Sequence, residues 1–324
     1  MAVVRRRFLQ LAATAAVVPV LPRKAQPAGY PLRPLRWIVG FAAGGGTDIV
    51  SRLMAQWLSD RLGQAVVVEN KPGASSNISI LAALSAPADG YTVVVITASS
   101  AINVTLLEKP AFDLVRDVAP VAGLIEFPVV LVTNPAVPAR TVAEFVAWAK
   151  DHPGASVASY GTGSTSHMAL ELFKSMTGLN LVHVPYRGDA LAVADTISGQ
   201  VQATFATMTA ALPHINSGAV RLLAVAGKNR SEFIPDAPTI AETVPGYEAY
   251  SWVGLAVVRG TSREVVSRLN SEINAGLADP EVCKRLAAVA ATPIVHTPEG
   301  FGALVRSEVD KWGRVIRTAG IKAD

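Results

Sequence analysis

Apolar residues in this chain recur in two periods that take turns. Arg36-Trp37-Ile38-Val39-Gly40-Phe41 is a β-branched and aromatic run, which predicts a strand. A glycine-rich loop follows over 42–46. Ile49, Val50, Leu53, Met54, Trp57, Leu58 and Leu62 then fall at helical spacing, with Thr47 or Asp48 placed to cap the start and Gly63 to end it. The same reading gives a strand over 65–69, a short helix over 77–86 and a strand over 91–97. Such alternation implies right-handed crossovers and a largely parallel sheet.

The alternation restarts after a proline-marked stretch over 110–128. Strands are predicted over 129–133, 157–160, 181–185, 201–205 and 221–226, and helices over 142–150, 167–177 and 190–198. A second glycine-rich loop, Gly161-Thr162-Gly163-Ser164-Thr165-Ser166, sits between a strand and a helix as the first does. A strand over 252–258 is followed by helical patterns to the end. Two similar α/β halves and a helical tail predict two lobes; periodicity leaves open which lobe the tail joins.

The N-terminus follows a different pattern. Arg5-Arg6-Arg7 precede an apolar run of about 14 residues over 8–21, short of the roughly 20 needed to span a bilayer. A basic start, a short apolar stretch and a small-residue tail predict an export signal over 1–28. Arg5-Arg6-Arg7-Phe8-Leu9 also resembles a twin-arginine signal, with Val4 and Gln10 departing at its edges, and an ordinary Sec signal stays equally open. The segment changes the charge picture. The whole chain carries +4, but Arg5, Arg6, Arg7, Arg23 and Lys24 all lie in the segment to be removed, with no acid among them. Losing those five takes the balance from +4 to −1 and removes the electrostatic case for a nucleic-acid partner. A single cysteine, Cys283, excludes an internal disulfide and a cysteine metal cluster.

The chemistry lies in the two glycine loops. A helix start leaves backbone N–H groups unpaired and carries partial positive charge, which makes it an anion site. Gly44 and Gly163 are expected to resist substitution, because a side chain would cover those N–H groups. Enzyme motifs do not fit: the first loop lacks the third glycine of a dinucleotide fingerprint, and no Walker lysine follows either loop. The second loop puts serine in the wrong slot for a nucleophile elbow. His152, His167, His183, His214 and His296 show no zinc spacing. His167 serves either as a ligand donor or as a capping group. Asp48 serves as a loop brace or a ligand contact, and Asp195 holds a ligand amine or braces the loop at Tyr186.

With these residues in view, a resemblance emerges. Ile38-Val39-Gly40-Phe41-Ala42-Ala43-Gly44-Gly45-Gly46-Thr47-Asp48 resembles the first loop of the Bug-type solute receptors, the extracytoplasmic binding proteins of the tripartite tricarboxylate transporter family. Glu69-Asn70-Lys71-Pro72-Gly73-Ala74, Asp89-Gly90-Tyr91-Thr92, the second glycine loop with His167, Val184-Pro185-Tyr186-Arg187-Gly188, Leu212-Pro213-His214-Ile215 and Pro235-Asp236-Ala237-Pro238-Thr239 follow in the family's order. Leu269-Asn270 and Ala319-Gly320-Ile321-Lys322 complete the set.

The resemblance implies a type II periplasmic-binding fold: two α/β lobes, a central ligand cleft and a two-stranded hinge. Lobe one is expected over 29–128 plus 252–324, and lobe two over 129–251. The implied contacts in lobe one are Phe41, Ala43, Gly44, Thr47, Asp48, Thr97 and Ser99. Gly161, Gly163, Ser164, Thr165 and His167 face them, with Tyr186, Gly188, Asp195 and Thr207 at the rim. The implied activity is binding rather than catalysis. A small organic carboxylate is captured, without cofactor or metal, by a periplasmic monomer and presented to a membrane permease. A partner sensor kinase and an exported enzyme are the other readings.

Several positions depart from the family pattern. Ala43 and Leu191 replace usual prolines, Val257-Val258-Arg259 replaces an Ala-Pro pair, and Gln202, Ala206 and Thr207 stand where Asp, Asp and Asn are common. With Asp195 as the one acid placed at the rim, a carboxylate without an amine is the expected ligand.

Overall fold

Strand and helix alternate as the periodicity requires. The computed structural model describes residues 29–107 and 111–322; the expected export segment, 1–28, lies outside them. The first half runs β1 (Leu35–Val39), α1 (Gly46–Leu62), β2 (Val66–Asn70), α2 (Asn77–Leu84), β3 (Thr92–Thr97) and α3 (Ala98–Leu106). The second runs β4 (Val118–Thr133), α4 (Val142–Asp151), β5 (Ala155–Ser159), α5 (Thr165–Thr177), β6 (Leu181–Pro185), α6 (Asp189–Ser198), β7 (Ala203–Thr207), α7 (Met208–Asn216) and β8 (Arg221–Val225). The chain returns through β9 (Tyr250–Val258) and ends with α8 (Arg263–Leu277), α9 (Pro280–Ala287), β10 (Thr292–Pro293) and α10 (Pro298–Ala319).

The strands order as β2-β1-β3-β9-β4-β7-β5-β6, with β8 and β10 also paired to β4. β1 is parallel to β2 and β3, and β5 to β6 and β7. Every pairing of β4 and β9 is antiparallel. The sheet is therefore mixed, which corrects the expectation of a largely parallel one. Right-handed crossovers make each half parallel, but β4 leaves the first half as β9 comes back, so those two must run oppositely.

The proline-marked stretch also proves different. Much of it belongs to β4, which is 16 residues long. Residues 118–128 pair with β9, and 129–133 with β7 and β8. Pro120 stands at a register shift and Pro128 where β4 changes partners, places where a missing N–H is tolerated. Beside this crossing, Ala226 N donates to Val129 O at 2.7 Å and Ala249 N to Ala226 O at 2.8 Å.

Each half has its own core. Ile38, Val94, Ile96 and Trp252 pack with Phe301 and Val305 of α10. A Cβ on Gly254 would lie 2.0 Å from Phe301 Cζ, so glycine in β9 is what admits the ring. Val129, Leu131 and Phe205 pack with Phe145 and Phe173 in the other half. The tail helix is tied to the first half by Glu308, which is buried. Its carboxylate accepts from Tyr250 Oη at 2.9 Å, Trp252 Nε1 at 3.3 Å and Trp312 Nε1 at 3.1 Å. No described helix is long and apolar enough to cross a membrane.

Candidate functional site

Helices α1, α3, α5, α6 and α7 all begin where the two halves face each other. The topology causes this, because in a strand–loop–helix unit the helix N-terminus lies at the C-terminal edge of its strand. Thr47 is the second residue of α1, Thr97 precedes α3 and Ser99 is its second residue. Thr165 opens α5, Asp189 opens α6 and Thr207 caps α7 through a bond from Ala210 N. Phe41, Thr47, Thr97, Ser99, Phe127, Tyr160, Asp189, Thr207 and Ser251 enclose a cavity of ≈ 10 Å³, about the room of one water. A wider outer groove of ≈ 520 Å³ adjoins it, lined by Ser75, Gly161, Tyr186 and Arg187 among others. Phe41 and Tyr160 line both spaces and meet edge to face, centroids 5.8 Å apart.

The two halves are closed on each other. Ala42 N donates to Arg187 O at 3.2 Å, Thr165 N to Ser99 Oγ at 3.3 Å, and Ser75 Oγ to Thr162 O. Absent side chains permit the approach. A Cβ on Gly46 would lie 2.8 Å from Thr207 Oγ1, one on Gly163 2.0 Å from Asn103 Oδ1, and one on Gly188 3.2 Å from Ala42 Cβ. Ala74, Ser75 and Ser76 hold consecutive positive φ values of 45°, 46° and 80° at this edge, local strain of the kind that gathers at ligand sites.

The expected contact residues divide into two sets. Phe41, Thr47, Thr97, Ser99 and Thr207 line the cavity. The others stand behind it or outside it. Asp48 is 2% exposed and accepts from Gly44 N at 3.0 Å, Arg52 Nε at 3.0 Å and Asn70 Nδ2 at 2.8 Å. It braces the first loop; burial opposes its charge, but these three donors hold its carboxyl below the ordinary range. Ala43 and Gly44 are exposed. Ser164 caps α5 by accepting from His167 N at 3.1 Å. His167 Nδ1 accepts from Gly163 N at 3.1 Å, and its ring stacks on His183 with centroids 4.1 Å apart. Asp195 is not in the cavity lining; its carboxylate accepts from Tyr186 Oη at 2.6 Å.

These bonds change how the glycine loops work. Gly44 N is taken by Asp48, Gly161 N by Ser159 Oγ and Gly163 N by His167. In the closed form those N–H groups brace the loops, and the polar groups lining the cavity are largely hydroxyls. The expected intolerance at Gly44 therefore cannot come from covered N–H groups. A Cβ there meets nothing within 4 Å, and the constraint is its φ of +84°. Gly163 combines a φ of +75° with the clash on Asn103.

Phe127, Tyr160, Asp189 and Ser251 were not expected in the lining. Phe127 and Ser251 are opposite each other on the crossing strands β4 and β9, a neighbourhood no local pattern announces. Asp189 is 6% exposed; its Oδ1 accepts from Thr207 N at 3.1 Å and its Oδ2 from Thr207 Oγ1 at 3.0 Å. Burial pushes its carboxyl up to about 6, against the pull of the two Thr207 bonds. Burial and the Asp189 charge together raise the Tyr160 phenol above its ordinary range. The hydroxyls of Thr97, Tyr160 and Thr165 make no well-formed hydrogen bond among the described residues, although Tyr160 lies near enough to Thr165 and Ser251 to feel both. The one sequence signal for Asp189 was an acid directly after Gly188 at a helix start.

Comparison with known proteins gives a consistent picture. The profile of the tripartite tricarboxylate transporter family receptor matches residues 50–321. Protein BugT of Bordetella pertussis is 36% identical over 297 residues, covering 90% of this chain and 91% of that protein. The structure of R. palustris Rpa4515 with adipate superposes with a TM-score of 0.88 at 34% identity, over 91% of this chain and 99% of the other. MatC from Rhodopseudomonas palustris with bound malate gives 0.84 at 30% identity, over 89% and 100%. The mixed α/β, two-lobed architecture is common to them and to this chain.

Proposed function

The chain belongs to the tripartite tricarboxylate transporter family receptors, and from that premise we propose that it captures a small carboxylate between its lobes and delivers it to a membrane permease of that transporter type. The observation that carries this reading is the convergence of four helix N-termini, those of α1, α3, α6 and α7, on one cavity, with the start of α5 meeting Ser99 beside it. Each favours a negative group by about 0.3–1 kcal/mol when exposed, and by more when enclosed. Hydroxyls of Thr47, Thr97 and Ser99 supply the donors, while that of Thr207 is given to Asp189. The similar structures that hold adipate and malate support the same ligand class here.

On this proposal the lobes are 29–128 plus 252–324 and 129–251, in keeping with the change of partners in β4 after Pro128. The ≈ 10 Å³ cavity cannot admit a carboxylate, so binding requires the lobes to part and reclose. The ligand then shifts an open–closed equilibrium through contacts to both lobes. Asp48, Gly44, Gly163, Ser164 and His167 hold the loops in shape; Gly161, Gly188 and Tyr186 border the route in. The protein works in the periplasm after removal of the N-terminal segment, as a binding protein and not as an enzyme.

A thermal-shift panel of small carboxylates tests the function. A ligand at about 100 times its Kd should add about 2.7 kcal/mol to stability and be recovered unchanged. A panel with no stabilising member, or turnover of a bound carboxylate, would overturn it. Cellular uptake of the same ligand should require both this chain and a permease of the tripartite tricarboxylate type.

A further inference from the structure

We infer that the captured carboxylate also bears an ammonium group, and that Asp189 is the residue that holds it. The inference rests on the carboxylate-receptor reading and narrows its ligand class. Asp189 lines the cavity with almost no solvent exposure. No lysine, arginine or histidine shares that lining. Arg187, a nearby cation, lines the outer groove, and Arg52 is engaged by Asp48 behind the loop. A ligand carboxylate enclosed here therefore meets an acid with no protein cation between them. Like charges that close cannot share a dry site without a compensating positive charge or a proton.

Two observations favour a cation on the ligand over a proton on Asp189. Both Asp189 oxygens accept hydrogen bonds from Thr207, and donors to a carboxylate stabilise its ionised form. Each oxygen keeps further acceptor capacity for an ammonium. In addition, Phe41, Phe127 and Tyr160 line the same small space, and aromatic rings attract a desolvated cation. Burial raises the Asp189 carboxyl to about 6, and the two Thr207 bonds pull against that rise. The arrangement seats an amino carboxylate with its carboxylate among the hydroxyls and helix starts and its ammonium at Asp189. This reverses the expectation of an amine-free ligand, which took Asp195 as the acid of the cleft.

Calorimetry on the processed chain with matched pairs decides it: L-aspartate against succinate, L-glutamate against glutarate and β-alanine against propanoate. The amine-bearing member of the binding pair should be at least tenfold tighter. Asp189→Asn, which keeps the shape and an acceptor for Thr207, should erase or reverse that preference while the protein still melts cooperatively. Tighter binding of the amine-free acid by the unmodified protein overturns the inference. Uptake of one proton with it, read from buffers of different ionisation heat, would make Asp189 a proton acceptor instead. An amine preference that survives in Asp189→Asn also overturns the assignment, and Asp189→Ser serves if the first variant does not fold. If no carboxylate of either kind binds, it is the receptor reading itself that fails.

Discussion

Gly46→Ala separates closure from folding. Gly46 opens α1 and is not among the residues with positive φ, so alanine is conformationally acceptable. Alanine also favours helix by about 0.5–1 kcal/mol over glycine. The three atoms nearest to the new Cβ all belong to Thr207 and Thr209 of the opposite half. Across the cleft, the new Cβ would lie 2.8 Å from Thr207 Oγ1 and 3.0 Å from Thr209 Cβ, where ordinary contact begins near 3.4 Å. Thr207 cannot easily yield, because its hydroxyl donates to Asp189 at 3.0 Å and accepts from Ala210 N at 3.3 Å. Overpacking of this kind costs about 1–3 kcal/mol. The cost falls on the closed form alone, so affinity for whichever carboxylate binds should drop by roughly 5- to 150-fold. Calorimetry reads the affinity, and thermal melting without ligand should show an unchanged or slightly raised Tm. Undiminished affinity in a folded Gly46→Ala protein would refute the view that this lobe contact forms when ligand is held.

Three further outcomes follow from other parts of the molecule. Asp189 has its folded carboxyl raised from 3.8 to about 6, so its contribution is fully present below pH 4 and is lost as pH rises through 6; Asp189→Asn should remove a loss on the order of 2–3 kcal/mol, seen by comparing urea melts of the two proteins between pH 4 and 7. Glu308→Ala strands the buried donors of Trp252 and Trp312 and the half-buried Tyr250 hydroxyl and should cost about 3–5 kcal/mol in chemical denaturation, with Glu308→Gln recovering part of it. Protein recovered from the periplasm should begin between about 26 and 31 by mass spectrometry; an intact Met1 on exported protein would contradict an export signal at 1–28.

Much of the site was legible because local rules produce it. Strand–glycine loop–helix units can be read from residue order, and they brought Phe41, Thr47 and the second glycine loop to one cleft. Asp195 stands outside the cavity lining for a geometric reason. Asp189 and Asp195 lie on the same helix, six residues and therefore about 240° and 9 Å apart. One opens α6 at the cleft, while the other lies further along it and meets Tyr186. Sequence spacing gives that angle but not which face looks inward. The loop N–H groups follow the same logic, since Asp48, Ser159 and His167 reach them through side-chain geometry that residue order does not show.

Residue order alone sets the α/β alternation, the two glycine loops and their helix starts, because each depends on neighbours within a few residues. Long-range packing sets which strands cross between the halves, and so why Phe127 and Ser251 join the site from β4 and β9. It also decided that Asp189 faces the cavity and that Gly46, Gly163 and Gly188 let the lobes meet. Those facts depend on surfaces 60 or more residues apart along the chain. Their contact is set by how two packed cores dock, which no local propensity encodes.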